Sequence, residues 1–301
     1  MPWHGASVMA NGPSLWCIVQ SDGDKAYLTK DGAIPIQYCT LGEAQPLVQH
    51  AVQRALHVTV PRRVVATIAD PHRHWWSGPL WCVPPQRRIV DESTGRMTVT
   101  LAAALALIER AAADAFVVIQ PADVFLAGDR AFVGGVARAL HALQRLPTHM
   151  VALTLDPVAG EPGQDYLLLG PEDGLPGRSA TRLIKRPPPI IADRLVASGA
   201  RLHTGVYVAR LATVARVLED AWPGLMSAAR ELCPGETGEI RTTARMAGSL
   251  FSRPWRHTWA QRPIPRLRAV SVDSYGWSSV ASGAALASTV RASPTRYPAD
   301  V

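Results

Sequence analysis

The chain predicts an α/β fold in three layers, a Rossmann-like arrangement built on a mostly parallel mixed sheet. Two observations carry that prediction. Apolar runs without polar alternation, as in Leu15-Trp16-Cys17-Ile18-Val19 and Phe116-Val117-Val118-Ile119, read as strands covered on both faces. Between such runs lie segments with helical periodicity, and strands alternating with helices argue for parallel crossovers of right-handed sense. A third observation concerns function. The run from Phe116 is stopped by Gln120-Pro121, and a carboxylate, Asp123, follows two residues later. Ligands of open parallel sheets bind just past the carboxyl ends of the strands, so Asp123 stands where a metal or a phosphate would be handled. A turn aspartate capping the next element explains the same position without any function.

The elements follow in order. Residues 14–20 form the first strand, and a polar loop with Gly23 and Gly32 follows. Residues 45–57 are helical, with Leu47, Val48, Ala51, Ala55 and Leu56 on one side. Residues 63–69 form a second strand, then Asp70-Pro71-His72 turns the chain into an aromatic segment ending at Trp76. A connection rich in proline and arginine runs to about residue 90. An alanine- and leucine-rich helix over 101–115 precedes the strand that leads to Asp123. A helix over 130–146 and a strand over 151–155 close the first half. In the second half, 165–169 and 181–185 read as a strand pair around a Gly/Pro turn, and Pro187-Pro188-Pro189 breaks the chain. A short helix over 190–197, a strand over 205–209, a helix to about 220, a less regular helical stretch to about 250 and a last strand over 268–272 complete the pattern. With no repeat and no long linker, residues 14–292 are expected to form a single domain, with 1–13 and 293–301 as flexible termini.

Composition narrows the class. With 301 residues, 48% of them apolar, the chain can bury a large core. No apolar run approaches the ~18 residues of a membrane span, and the N-terminus lacks the basic and apolar regions of a secretory signal. Cys17, Cys39, Cys82 and Cys233 have no metal-type spacing and read as reduced, packed thiols of a cytoplasmic protein. The net charge of +7 suits phosphorylated small molecules. Zinc spacing, helix-turn-helix pattern and aromatic-basic interleaving are all missing, which speaks against nucleic acid as the partner. No Gly-x-Ser-x-Gly elbow supports a serine hydrolase. His72, His74, Trp75 and Trp76 are expected to be a packed surface segment, and Arg87-Arg88 to be solvated.

Five segments, in register, resemble the sugar-phosphate nucleotidyltransferases, and among them most of all the mannose-1-phosphate guanylyltransferases (GDP-mannose pyrophosphorylases). Ile34-Pro35-Ile36-Gln37-Tyr38, then Leu41-Gly42 and Leu47-Val48-Gln49, is similar to that family's Pro-Lys-Gln-Phe segment and the helix after it. Gln120-Pro121-Ala122-Asp123 resembles Pro-Ser-Asp-His, and Lys185-Arg186-Pro187 resembles Glu-Lys-Pro. Leu202-His203-Thr204-Gly205-Val206-Tyr207 resembles Trp-Asn-Ser-Gly-Met-Phe, and Trp277-Ser278-Ser279-Val280-Ala281-Ser282 resembles Trp-x-Asp-Val-Gly-Ser. The resemblance implies the nucleotidyltransferase (nucleotide-diphospho-sugar transferase) form of the fold. It also implies the reaction NTP plus sugar 1-phosphate to NDP-sugar plus pyrophosphate, with GTP foremost as the triphosphate.

That chemistry brings two anions together and stabilises charge on the transferred phosphoryl group. By resemblance, Gly23, Lys30, Gln37 and Gly95 face the nucleotide and its phosphates, and Lys25 stands in for the loop arginine. Arg186, His203, Thr204 and Gly205 fall on the sugar-phosphate side. Asp123 is the first Mg²⁺ ligand, and Asp273 is the candidate second. The departures are as specific. The family lysine is Ile36, its second metal aspartate is Ser279, the histidine after the first is Val124, and the leading loop glycines are missing. Asp22 and Asp24 are expected to lie where the triphosphate sits and to repel it, by about 1 kcal/mol each even in a wet site. The alternative reading is a catalytically inactive homologue, acting as a nucleotide-binding or regulatory partner, either as a homodimer or paired with an active homologue.

Overall fold

The computed structural model describes residues 14–29, 32–40, 45–126, 129–161, 163–232, 238–242, 266–272 and 277–279. Its centre is a mixed sheet of ten strands. In chain order the strands and helices are β1 (Leu15–Gln20), β2 (Ala26–Thr29), β3 (Gly32–Pro35), α1 (Leu47–Leu56), β4 (Val64–Ala69), α2 (Arg73–Trp76), β5 (Arg88–Asp91), α3 (Met97–Ala111), β6 (Phe116–Pro121), β7 (Val124–Leu126) and α4 (Arg130–Arg145). There follow β8 (Met150–Leu155), β9 (Tyr166–Leu169), β10 (Arg178–Ile184), α5 (Pro189–Ala197), β11 (Arg201–Arg210), α6 (Leu211–Ala221), α7 (Leu225–Glu231), β12 (Ile240–Thr242), β13 (Leu267–Val272) and β14 (Trp277–Ser279).

The sheet order is β12-β5-β4-β1-β6-β11-β8-β13-β10-β9. The first five strands are parallel to their neighbours. β11 is antiparallel to both β6 and β8, and β10 to both β13 and β9. The sheet is therefore mostly parallel, with β10 and β11 reversed. β11 also pairs with β9, through Arg201↔Leu167 and Leu202↔Tyr166, so the far half curls into a small barrel-like closure.

Alternate side chains of each central strand enter different layers, as the two-residue period requires. Cys17 and Val19 join one core with α1 and α4, through Val48, Val52, Phe132 and Val136. Trp16 and Ile18 join the other with α3, α6 and α7, through Leu105, Leu218 and Met226. Helices thus cover both faces, which is why β1, β4, β6 and β8 are buried along their whole length.

Several expectations are corrected. The helix expected at 101–115 begins four residues earlier, at Met97, and ends at Ala111. Every residue from Met97 to Ile108 is buried, so no polar face marks its start. The Pro/Arg-rich connection hides β5, a four-residue strand whose Ile89 and Val90 are fully buried. The strand expected at 205–209 runs from Arg201 and is antiparallel, because the chain enters it beside the carboxyl end of β8, where Leu202 pairs with Leu155, and leaves it beside the start of β6, where Arg210 pairs with Phe116. Arg88 is not solvated: its guanidinium donates to the Val83 and Leu80 carbonyls and lies 5.9 Å from the Trp76 ring. The aromatic segment packs as expected, with Trp76 1% exposed and its indole N–H on the Ala69 carbonyl. No described helix is long and apolar enough to cross a membrane.

Candidate functional site

The cleft lies past the carboxyl ends of β1 and β6 and holds about 400 Å³. The segment after β1 forms one wall, and it is held from below. Ser21 donates both its N–H and its hydroxyl to the Thr67 carbonyl, at 2.9 and 2.7 Å. The Gln37 amide donates to the carbonyls of Ser21 and Gly23, at 3.0 and 3.1 Å, and the Tyr38 hydroxyl also reaches Ser21. Gln37 lines the cleft, but its amide nitrogen is engaged with the loop. A Cβ added to Gly23 would meet nothing, so the backbone there is open to close approach by a ligand.

Asp22 corrects the sequence expectation. Its carboxylate is fully buried and accepts from the hydroxyls of Thr67 and Thr100, each at 2.6 Å. It points into the protein, clamps the loop between β4 and α3, and does not line the cleft. Burial pushes its carboxyl above the ordinary range, and the two threonine hydroxyls partly offset this. Asp24 does line the cleft, and one of its oxygens lies 3.4 Å from where a Gly95 Cβ would stand.

Gly95 sits on a second loop, with φ +81, and its N–H donates to the Asp22 carbonyl at 2.9 Å. That loop is anchored by a buried ion pair. Both Arg96 Nε and Nη2 donate to Asp91, which also accepts from the Ser93 N–H and the Thr242 hydroxyl. Sequence reasoning missed this anchor, although a carboxylate ending an apolar run five residues before an arginine is its trace.

Asp123 lies in the turn between β6 and β7. Its side chain is 27% exposed, and Lys25 Nζ stands 3.9 Å from Oδ2. The two residues expected to be catalytic therefore meet. β7 pairs with β14 so that Val124, the residue after Asp123, stands opposite Ser279 in the ladder. Asp273 and Lys30 lie outside the described residues. Beneath the turn, the fully buried Arg54 donates to Gln120 at 2.8 Å and to the Val124 carbonyl at 3.4 Å. Burial pushes its guanidinium down to about 10, so it remains charged at neutral pH.

The opposite wall comes from the barrel half. The His203 N–H donates to the Asp165 carbonyl, and the Arg186 N–H to the Asp165 carboxylate at 3.2 Å. Arg186 has φ +39, a strained backbone for a residue with a side chain. The Thr204 hydroxyl donates to the Leu153 carbonyl and accepts from the Val206 N–H, which fixes the irregular step in β11 where Gly205 has φ +82. Arg186, His203, Thr204 and Gly205 all line the cleft, together with Lys185 and Gln164, which sequence reasoning had not assigned to it. Ile36, in the family's lysine position, is 5% exposed and belongs to the core.

The cleft thus is lined by three cationic side chains, Lys25, Lys185 and Arg186, and three carboxylates, Asp24, Asp123 and Asp165. Gly23 and Gly95 line the same cleft.

No protein-family model matches the sequence, and no curated protein matches it. Solved structures do match the fold. The mannose-1-phosphate geranyltransferase from Thermus thermophilus is 19% identical, with a TM-score of 0.73 over 89% of this chain and 76% of that one. A mannose-6-phosphate isomerase from Helicobacter pylori is 13% identical, with a TM-score of 0.69 over 88% of this chain and 99% of that one. A UDP-glucose pyrophosphorylase complexed with UDP-glucose is 13% identical, with a TM-score of 0.52 over 94% of this chain and 99% of that one. The chain has the fold of the sugar-phosphate nucleotidyltransferases, at low sequence identity. Fold alone does not fix activity.

Proposed function

We propose that this cleft binds a nucleoside triphosphate, GTP foremost, and a sugar 1-phosphate, and that the protein is a nucleotidyltransferase of the mannose-1-phosphate guanylyltransferase type with a diverged site. The observation that carries this reading is the meeting of Lys25 and Asp123 at 3.9 Å, in a cleft also lined by Gly23, Gly95, Arg186 and His203. In the reaction, a sugar phosphate oxygen attacks the α-phosphorus, the bond to the β-phosphate oxygen breaks, and pyrophosphate leaves. Lys25 neutralises the triphosphate, the Gly23 backbone allows its close approach, and Arg186 holds the sugar phosphate. His203 meets a sugar hydroxyl.

Mg²⁺ is commonly held by one or two carboxylates plus substrate phosphates, and Asp123, on the cleft wall, fits that pattern. Asp123 would hold the ion together with phosphate oxygens, and Asp273 is the candidate second carboxylate. When bound, the ion supplies charge stabilisation on the phosphoryl oxygens. The test is pyrophosphate release by the purified protein with Mg²⁺, GTP and mannose 1-phosphate. Turnover that falls at least 100-fold in Asp123→Ala supports the reading; no turnover with any common nucleotide and sugar-phosphate pair overturns it.

One observation favours a second reading, nucleotide binding without turnover. Ile36 lies in the core, so the family's lysine has no cationic replacement at that position. Calorimetric titration with GTP and GDP-mannose separates the two. Binding without turnover supports the second reading, and absence of binding removes both.

A further inference from the structure

A second cleft, of about 600 Å³, shares no lining residue with the first. Its floor is apolar, built from Ala142 of α4, Leu169 of β9, Pro176, and Ala269 and Val270 of β13. Its basic lining groups are Arg138, His141, Arg178 and Arg201. Three guanidiniums and an imidazole around an apolar floor are an unusual composition for a surface hollow. Charged groups in a pocket serve orientation, while the apolar walls supply burial.

The arginines are held in place by the backbone. Gly177 has φ +67, and a Cβ there would stand 2.6 Å from the Ala269 carbonyl oxygen. This fixes the turn that delivers Arg178. Nε and Nη2 of Arg178 donate to the Gly170 carbonyl, and Arg138 Nη2 donates to the Ser271 carbonyl at 3.1 Å. Each guanidinium has five N–H donors in a planar fork, so these anchors orient Arg138 and Arg178 while leaving most of their donors for an anion. Arg201 is paired with Asp156, whose side chain is 63% exposed. The charge balance around the hollow remains positive.

We propose that this cleft is a binding site for a small organic anion with an apolar body, its carboxylate, sulfonate or phosphate head on Arg138 and Arg178 and its body against Leu169, Pro176 and Val270. Bidentate recognition of such heads is what arginine does better than lysine. The site is separate from the nucleotide cleft and does not depend on the function proposed for it.

The test uses the full chain and the fluorescent probe 8-anilinonaphthalene-1-sulfonate, with neutral N-phenyl-1-naphthylamine as control. The expected result is saturable binding of one sulfonate per chain. Arg138→Ala/Arg178→Ala weakens it at least tenfold with an unchanged circular dichroism spectrum. Ala137→Trp, on the exposed side of α4 at the rim, weakens it by a second route should the arginine variant misfold. Lys25→Met leaves it unchanged, and the neutral probe binds at least tenfold more weakly than the sulfonate. Unsaturable binding, equal affinity for the two probes, loss in Lys25→Met, or full retention in a folded arginine variant or in Ala137→Trp overturns the proposal.

Discussion

Replacing Lys25 by methionine is expected to leave the fold intact and weaken nucleotide binding. Lys25 Nζ lies 3.9 Å from Asp123 Oδ2, with side chains 39% and 27% exposed. At that distance one pair of unit charges interacts by about 1 kcal/mol in a water-like dielectric. An exposed pair returns ~0–1 kcal/mol of stability after side-chain ordering, so the urea midpoint should barely move. A phosphate chain that takes over the ammonium carries more charge than one carboxylate, and the loss on binding is then about 1–2 kcal/mol. That is roughly a five- to thirty-fold rise in Kd, since 1.4 kcal/mol is tenfold. Calorimetry with GTP at low and at physiological salt reads it, with the larger loss at low salt because screening is weaker there. Asp123→Asn sharpens the logic. It releases Lys25, so GTP binds more tightly in EDTA; with Mg²⁺ it binds more weakly, because the carboxylate that would hold the ion is gone. GTP affinity unchanged within twofold in Lys25→Met would refute the placement of the phosphates beside this residue.

Other perturbations follow from the same geometry. Asp22→Ala removes two buried hydrogen bonds and leaves both hydroxyls without that partner, which should cost about 3 kcal/mol in urea unfolding. Asp22→Asn probes the charge. The folded carboxyl lies above its ordinary value of 3.8, so the protonated form's contribution is present at low pH and lost as pH rises through the folded value. Stability of wild type relative to Asp22→Asn should therefore fall as pH rises above the ordinary carboxylate value, and a constant or opposite difference would count against the assignment. Gly205→Ala, at φ +82, should lose ~1–2 kcal/mol by denaturant melt and raise KM for the sugar phosphate. In a Cys233→Ala background, a thiol reagent should label Cys82 in the native state, and Cys17 and Cys39 only on unfolding. Both of these are buried, and burial pushes the Cys17 thiol up to about 12. Rapid native labelling of Cys17 would show that its layer opens.

Legibility followed burial. The strands covered on both faces carry their own signal in Val, Ile and Leu, so β1, β4, β6 and β8 were read close to their observed bounds. β5 and β12 were invisible because three or four residues leave too little pattern, and each exists only by pairing with a neighbour. The reversal of β11 could not be read either. Strand direction depends on the end of the sheet at which the chain enters, and side-chain alternation is the same in both directions.

At the site, position was legible and direction was not. Asp22 and Asp24 stand one residue apart from Gly23 in the same loop, and as sequence they look alike. The fold separates them completely: Thr67 and Thr100 take Asp22 inward, while Asp24 remains at the cleft beside Gly95. Asp22 was therefore expected to oppose a triphosphate, yet it holds the loop on which the triphosphate would rest. The same distinction governs Ile36. Its apolar side chain is buried, so a lysine there buries an ammonium unless the loop moves. Ile36→Lys should thus destabilise the protein by several kcal/mol before it adds any cation to the site. A stable Ile36→Lys protein with tighter GTP binding would mean that the cleft rearranges toward the family geometry. A destabilised one would mean that the packing around position 36 does not accommodate an ammonium.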